Sequence, residues 1–211
     1  MEQRLAALCA PVFCREKAAN LVGLEYLKEE DLHQCLDGTG ISSRILCRCE
    51  KRCQVFLYDK ERLEAYVSRP EHASFLEAFG YEEMDLEAAL DRLSARYEAY
   101  RWNGQEFPHE IGLFLEYPLA DIEGYLQGRD GKELFRGYWK VYSNEEQARA
   151  TFLRYDAAKE RLTQAVCRGC SLSECLAQPG MILQTDMRQR PDAILEANMS
   201  RQPDTFLEAA G

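Results

Sequence analysis

The sequence has no run of about 18 apolar residues, the length that a helix needs to cross a bilayer. Its first residues carry no cationic stretch followed by a long apolar one, so we expect no secretory signal. Basic residues are also fewer than acidic ones. The chain has 26 Lys and Arg and 36 Asp and Glu, which gives a formal net charge of −10. Binding to phosphate backbones or anionic lipid depends on clustered Lys and Arg, so this balance argues against a general nucleic-acid binder and against a membrane-docked protein.

Familiar catalytic signatures are missing as well. Residues 38–40 hold two glycines but lack the spacing of a phosphate-binding loop. No Gly-x-Ser-x-Gly elbow occurs in the chain. A zinc-protease HExxH motif that began at His109 would need a second histidine where Leu113 stands. The sequence therefore predicts none of these enzyme classes.

Cysteine, by contrast, is abundant, with nine residues in the chain. The odd count and the expected lack of a secretory signal favour reduced thiols in the cytoplasm. Six of the nine fall into two groups, which are Cys47, Cys49 and Cys53, then Cys167, Cys170 and Cys175. Four thiolates drawn from both groups could bind zinc or an iron–sulfur cluster, and the Cys-x-x-Cys at 167 and 170 could be a redox pair. Incidental thiols are the interpretation that this spacing favours.

Hydrophobic periodicity and turn residues predict one α+β domain over residues 1–178. We expect a small, mostly antiparallel three-stranded sheet with the helices packed on one face. Strands are predicted near 44–49, 53–58 and 137–142, and helices at 4–22, 29–36, 61–79, 86–100, 111–115, 119–126, from 144, and finally up to 177.

The composition changes after residue 178, and residues 179–211 are predicted to be a flexible tail. The tail contains a short repeat, in which residues 190–197 are similar to residues 202–209. Each copy would make about two helical turns at most, which is too few to be stable alone. The repeat could dock on a protein partner, but chance similarity in a flexible tail is the interpretation that we favour.

The segment from Phe107 to Tyr142 is the most motif-like part of the chain. Its two short predicted helices have the pattern of a helix-turn-helix, whose second helix could enter a major groove. That helix offers Asp121 and Glu123 but no Lys or Arg before Arg129, and an acidic face repels phosphate. We therefore predict a helix pair that serves packing.

His109 and Glu110 are the first candidate site residues in this segment. A histidine beside a carboxylate could be a general acid–base pair or could supply a metal ligand. Neighbouring residues on a helix point about 100° apart, however, so the two side chains would not converge on one atom. The favoured interpretation is that His109 packs or caps against the aromatic residues of the strand at 137–142.

Aromatic residues form the second candidate site, because Tyr117 and Trp139 could line a ligand cleft. Aromatic side chains on a strand beside helices are more often core, and that interpretation is favoured here. Lys140 follows Trp139 on the same predicted strand and points to the opposite face, so it is the exposed candidate.

Two sets of residues carry a resemblance to a known family. In the central segment they are residues 107–115, Tyr117-Pro118, Asp121-Ile122, Gly124 and residues 137–142. Near the start of the chain they are Cys9-Ala10-Pro11, Lys17 and Asn20-Leu21. Both sets resemble the signatures of domain-of-unknown-function family 3793, which is bacterial and found mostly in anaerobes.

The resemblance covers roughly residues 5–177 and leaves out the tail. Two positions depart from the family pattern, because Leu8 stands where the family has His and Glu116 stands where it has Gly. A role that needed the N-terminal histidine is therefore not expected here. The family implies no established activity, although it does imply a redox or iron-responsive context near iron-uptake and flavodoxin genes.

These observations together favour a non-catalytic cytoplasmic protein that binds or regulates, with a small molecule or a protein as its partner. Its recognition surface is expected around His109, Tyr117, Trp139 and Lys140. One alternative is a redox- or metal-linked accessory protein that uses the cysteines. Another is an enzyme with His109 as general base, and DNA regulation is the fourth hypothesis.

Overall fold

The computed structural model describes residues 1–82, 84–128 and 131–177. The expected tail and its repeat lie outside the described residues and stay predictions. Within those three ranges, no helix combines the length and the apolar character that crossing a membrane requires. The elements in chain order are α1 (Glu2–Phe13), β1 (Ala19–Glu25), α2 (Glu29–Leu36), β2 (Ser42–Arg48), β3 (Arg52–Tyr58), α3 (Lys60–Val67), α4 (Pro70–Glu77), α5 (Leu86–Asn103), α6 (Ile111–Phe114), α7 (Leu119–Leu126), β4 (Phe135–Arg136), β5 (Lys140–Val141), α8 (Glu145–Cys167) and α9 (Leu172–Ala177).

Three strands form an antiparallel sheet in the order β1-β3-β2. β2 and β3 make the predicted hairpin, and β1 pairs with the other side of β3. At one end of the sheet, Ser42 of β2 and Ala19 of β1 flank Tyr58 of β3. The predicted α+β class, a small three-stranded antiparallel sheet covered by helices, is confirmed.

The identity of one strand was predicted wrongly. The opening helix was expected over residues 4–22, but α1 stops at Phe13, and residues 19–22 belong to the strand β1. The predicted strand at 137–142 instead supplies β5 to a separate ribbon, in which Phe135 lies opposite Val141. In β1 consecutive side chains face opposite ways, because Leu21 packs with one core cluster and Val22 with the other. A short apolar run of this kind cannot be told from a helix by periodicity alone.

Helices cover both faces of the sheet, so the expectation of one covered face is wrong. Phe56 of β3 faces a cluster that includes residues of α3, α4, α5 and α6. Its neighbours Val55 and Leu57 face a second cluster with residues of α1, α2, α8 and α9. Because successive strand residues point to opposite faces, a strand that is apolar throughout has to be buried on both sides.

Local signals in the sequence set where the two longest helices begin and end. The side chain of Asp85 accepts a hydrogen bond from the backbone N of Ala88 at 2.8 Å and caps α5. Asn144 caps α8 in the same way, accepting from the backbone N of Gln147 at 3.2 Å. α5 ends at Gly104, whose φ of 64° is left-handed. Such caps are worth about 1 kcal/mol each and fix the starting points of the helices that cover the two sheet faces.

The turn between α6 and α7 is tied to the N-terminal half of the chain through Glu116. This residue has a left-handed φ of 58°, the conformation that a glycine would adopt more easily. Its carboxylate accepts hydrogen bonds from the backbone N of Ala18 and from Arg62 Nη2, the latter at 2.8 Å. Arg62 also donates to the carbonyl oxygens of Arg15 and Glu16. One carboxylate therefore joins the α1–β1 connection, α3 and the α6–α7 turn.

We predict that Glu116→Ala lowers the free energy of unfolding by about 2 kcal/mol, because it breaks a partly buried charge-assisted pair. Glu116→Gly should cost about 1 kcal/mol less than Glu116→Ala, because glycine relieves the left-handed backbone. Urea unfolding monitored by circular dichroism measures both values.

Glu145→Ala is the control for this prediction, since it breaks the exposed pair with Arg149 inside one helix and should cost about 0.5 kcal/mol. A Glu116→Gly protein that is more stable than the parent would show that backbone strain outweighs the ion pair.

Candidate functional site

Asp121 of α7 links this helix by hydrogen bonds to the residues on either side of the strand β5. The carboxylate is only 3% exposed. It accepts hydrogen bonds from Trp139 Nε1 at 2.7 Å, from Tyr142 N at 2.9 Å and from both N and Oγ of Ser143 at 2.8 and 2.9 Å. Asp121, one of the two acidic residues that argued against DNA binding, therefore forms hydrogen bonds inside the fold. This supports the interpretation of the helix pair as packing.

Glycine allows α7 to approach β5 closely. A Cβ atom at Gly124 would lie 2.8 Å from Cβ of Tyr142, which is too close for two carbon atoms. One turn of α7 thus presents Asp121, Gly124 and Tyr125 to the same region of the chain. The contact between α7 and β5 therefore explains why the central segment has Asp121 and Gly124 at these positions.

His109 lies in a row of aromatic rings at the edge of the central segment. Its ring centroid is 5.2 Å from that of Phe107 and 5.2 Å from that of Tyr125. Lys140 Nζ lies 5.0 Å from the centroid of Tyr125. We call His109, Tyr125 and Lys140 the His109 corner. His109 and Lys140 are both half-buried, so the corner borders solvent.

The imidazole of His109 has an unusual environment. Among the residues that the structure describes, no group forms a hydrogen bond with its Nδ1, although this atom is buried. Burial lowers the pKa of His109, because the charged imidazolium is poorly solvated there. The nearby carboxylates of Glu106 and Glu110 act in the opposite direction but do not outweigh the burial. The neutral form of the His109 imidazole is therefore favoured, and its Nδ1 has no hydrogen-bond partner among the described residues.

Glu110 points away from His109 and into the core. It is fully buried and accepts hydrogen bonds from both Arg96 Nε and Nη2, and from Tyr81 Oη at 3.0 Å. The bond to Glu110 raises the pKa of Arg96. The adjacent pair seen in the sequence is thus split between the surface and the core, and the two residues do not form an acid–base unit.

Tyr117 and Trp139 meet each other further inside. Their ring centroids are 5.4 Å apart, and Trp139, which is 8% exposed, also packs edge-on against Phe152 at 4.5 Å. The Tyr117 carbonyl oxygen accepts a hydrogen bond from Tyr66 Oη at 3.0 Å. The four expected surface residues are therefore divided into an inner pair, Tyr117 and Trp139, and the outer His109 corner.

The structure also places a buried lysine against the inner pair. Lys17 is 2% exposed, and its Nζ lies 5.1 Å from the ring centroid of Tyr117. In the described part of the chain, Oδ1 of Asn20 at 3.0 Å is its one hydrogen-bond acceptor. The Asn20 amide nitrogen donates to the Leu8 carbonyl oxygen at 2.8 Å and to Sγ of Cys9 at 3.7 Å. Lys17, Asn20 and Cys9 carry part of the family resemblance, but the sequence alone indicates no role for them.

Burial lowers the pKa of Lys17 to about 8, although Glu116 and Cys9 partly counteract it. Burial also raises the pKa of the Cys9 thiol to about 12, so this thiol stays protonated at neutral pH. The side chain of Leu8 is exposed, and its carbonyl oxygen holds Asn20 in place. The N-terminal and the central signatures thus meet at one point, the ring of Tyr117.

The first cysteine group does not converge. Cys47 packs in the core cluster on one face of the sheet and Cys53 in the cluster on the other face. Cys49 is half-buried and close enough to Cys47 to contribute to its raised pKa, of which burial is the main cause. The alternation of strand residues that could have brought the thiols together instead separates them.

The second cysteine group is rearranged relative to the sequence motif. Cys167 is exposed at the last residue of α8, whereas Cys170 is hydrogen-bonded with the buried Cys175. None of the nine cysteines, all of which lie in the described ranges, is in a disulfide. Within residues 1–82, 84–128 and 131–177, no group of three or more His, Cys, Asp or Glu side chains could hold a metal ion.

The fold and the site define an α+β protein whose two signature segments meet around one tyrosine and one buried lysine. The chain belongs to the family described as "Protein of unknown function (DUF3793)", whose family model matches residues 5–176. No curated protein and no solved structure matches the chain.

The environment of Lys17 gives a prediction for the pH dependence of stability. With a pKa of about 8 in the folded state and 10.5 in the unfolded state, Lys17 binds fewer protons when folded, so it makes stability rise with pH above about 8. The difference in unfolding free energy between the parent and Lys17→Met should grow by about 1 kcal/mol in favour of the parent from about pH 7 to pH 9.

Urea unfolding at the two pH values measures this difference. Lys132→Met, which removes an exposed lysine, is the matched control and should show a constant difference. A constant difference for Lys17→Met as well would contradict a poorly solvated ammonium in the fold.

Proposed function

We propose that this protein is a non-catalytic cytoplasmic binding protein that recognises a carboxylate group of its partner at the His109 corner. The observation that carries the proposal is the buried, unpartnered Nδ1 of His109 among the described residues. A buried polar atom without a partner costs about 1–3 kcal/mol. A rotation of the imidazole ring on binding would bring this nitrogen to solvent, and a ligand oxygen that accepts its hydrogen bond would recover that cost.

The surroundings of His109 favour a single negative charge on a flat ligand. Lys140 brings a positive charge to the face of Tyr125, whose ring offers a stacking surface. Two carboxylates lie near the corner. Glu106 acts on the pKa of His109. Glu133 has its pKa lowered mainly by a hydrogen bond from Arg136 and to a smaller extent by the charge of Lys140. These acids would repel a polyanion, so nucleic acid is disfavoured and one carboxylate is preferred.

Binding is favoured over catalysis at this corner because His109 lacks a carboxylate partner. Its neighbour Glu110 is fully engaged by Arg96 and Tyr81. A general base needs a group that orients it and stabilises the imidazolium, and burial already disfavours that charged form here. The nine cysteines, none of which is in a disulfide, support the cytoplasmic location.

A ligand titration followed by NMR tests the proposal. Benzoate should shift the imidazole signals of His109 saturably in proton–nitrogen spectra, whereas benzamide, a neutral molecule of the same shape, should not. Lys140→Gln should weaken benzoate binding about threefold, as expected for a half-buried charge contact. The matched control Lys132→Gln, at an exposed site, should leave the affinity unchanged.

The other two histidines are internal references in the same spectra. His33 is exposed, and the ring of buried His72 is hydrogen-bonded to the Tyr66 carbonyl oxygen at 2.7 Å. Benzoate that shifts His33 as much as His109, or that shifts no histidine, would rule the proposed site out.

A further inference from the structure

The start of α9 has a local arrangement that brings two cysteines together. Ser171 Oγ accepts a hydrogen bond from the backbone N of Glu174 at 3.2 Å, and the Glu174 carboxylate accepts one from the backbone N of Ser171 at 2.9 Å. This reciprocal pair is a capping box. In such a helix start, the residue before the cap packs against the fourth residue of the helix. In this chain those two residues are Cys170 and Cys175.

The two sulfur atoms are in contact. A hydrogen bond links the thiols of Cys170 and Cys175, and it adds to the effect of burial in raising the pKa of Cys175 to about 11. α9 is held in place by Glu2, whose Oε1 accepts a hydrogen bond from the backbone N of Leu172 at 3.0 Å. Leu172 is fully buried, so the segment that carries both thiols is fixed on α1.

Only one of the two thiols can be reached from solvent. Cys175 is fully buried, whereas Cys170 is half-buried and lines an open groove of about 470 Å³. The groove lies between the start of α1, the end of α2 and the end of α8, and it is also lined by Gln3, Gln34 and Cys35. Its volume can hold a molecule considerably larger than water or peroxide.

We propose that Cys170 and Cys175 are a dithiol site that a low-molecular-weight disulfide oxidises from this groove. The thiolate of Cys170 attacks one sulfur of the disulfide R–S–S–R, which forms a Cys170–S–S–R bond and releases the first thiolate, R–S⁻. The thiol of Cys175 then loses its proton and attacks Sγ of Cys170. This forms the Cys170–Cys175 bond and releases the second R–S⁻, so the dithiol loses two electrons and two protons while the small disulfide becomes two thiols.

The order of the two attacks follows from exposure. Cys170 reacts first because it borders the groove, and Cys175 acts second because it lies beneath and touches Cys170. Cys167, the other half of the Cys-x-x-Cys motif, is exposed at the end of α8 and is not required. The site is thus distinct from the redox pair that the sequence motif indicates, and from the His109 corner.

The test uses the reduced full-length chain and 2-hydroxyethyl disulfide as the oxidant. After alkylation of the remaining thiols and cleavage with trypsin, Cys170 and Cys175 fall together in the peptide 169–188, while Cys167 falls in the peptide 162–168. We expect the peptide 169–188 to be two hydrogens lighter than the reduced form and unalkylated, with Cys167 alkylated in the other peptide.

Variants separate a reacting pair from two thiols that only pack. Cys175→Ala should leave Cys170 as a mixed disulfide with the reagent, at a level at least about tenfold above the parent, because the second attack is lost. Cys167→Ser, the matched exposed control, should form the internal disulfide as the parent does. Far-UV circular dichroism checks that each variant is folded.

Three results would overturn the proposal. The first is a disulfide that joins Cys170 to Cys167 or to Cys35 in place of Cys175. The second is a mixed disulfide at Cys170 that persists in the folded parent protein, which would show that Cys175 only packs. The third is a Cys170 that stays alkylatable while exposed Cys167 reacts.

Discussion

The bridge made by Glu116 is the contact on which the arrangement of the site depends. Its carboxylate binds Ala18 just before β1 and Arg62 on α3, although Ala18 lies 98 residues away in the sequence. This bond fixes the α1–β1 connection against the α6–α7 turn. Tyr117 follows Glu116 directly and Lys17 precedes Ala18 directly, so the same bridge sets the lysine over the tyrosine ring. The two family signatures are therefore neighbours in space because one carboxylate joins their ends.

The buried charged side chains of this protein have two kinds of environment, one with many hydrogen bonds and one with few. Glu110 and Asp121 are both buried, but each receives three or more hydrogen bonds from the surrounding fold. Lys17 is equally buried but has one acceptor and one ring face among the described residues, and its pKa falls accordingly. Well-satisfied carboxylates hold elements together, whereas a poorly satisfied ammonium lowers stability. Lys17 is therefore the residue of this core that stability alone explains least.

The sequence predicted those features that depend on neighbours in the chain. The starts of the helices near residues 86 and 144 were predicted, and the structure shows them capped by Asp85 and Asn144, because a side-chain cap needs only the next three residues. The family resemblance leads us to expect glycine at position 116, and the positive φ of Glu116 agrees with that expectation. β1 was missed because its apolar run fits both a strand and a helix, and only pairing with β3 decides between them. The burial of Lys17 depends on a turn about a hundred residues away, so no local pattern could reveal it.

Adjacency in the sequence consequently does not predict which side chains meet in the fold. His109 and Glu110 are neighbours in the chain, yet the backbone before α6 places the His109 ring against Tyr125 and the Glu110 carboxylate against Arg96. Cys167 and Cys170 form the obvious motif, yet the helix end at Cys167 and the capping box at Ser171 pair Cys170 with Cys175. In both cases backbone geometry at a helix terminus decides which side chains meet. Candidate chemistry in this protein is therefore better sought at helix ends than in linear motifs.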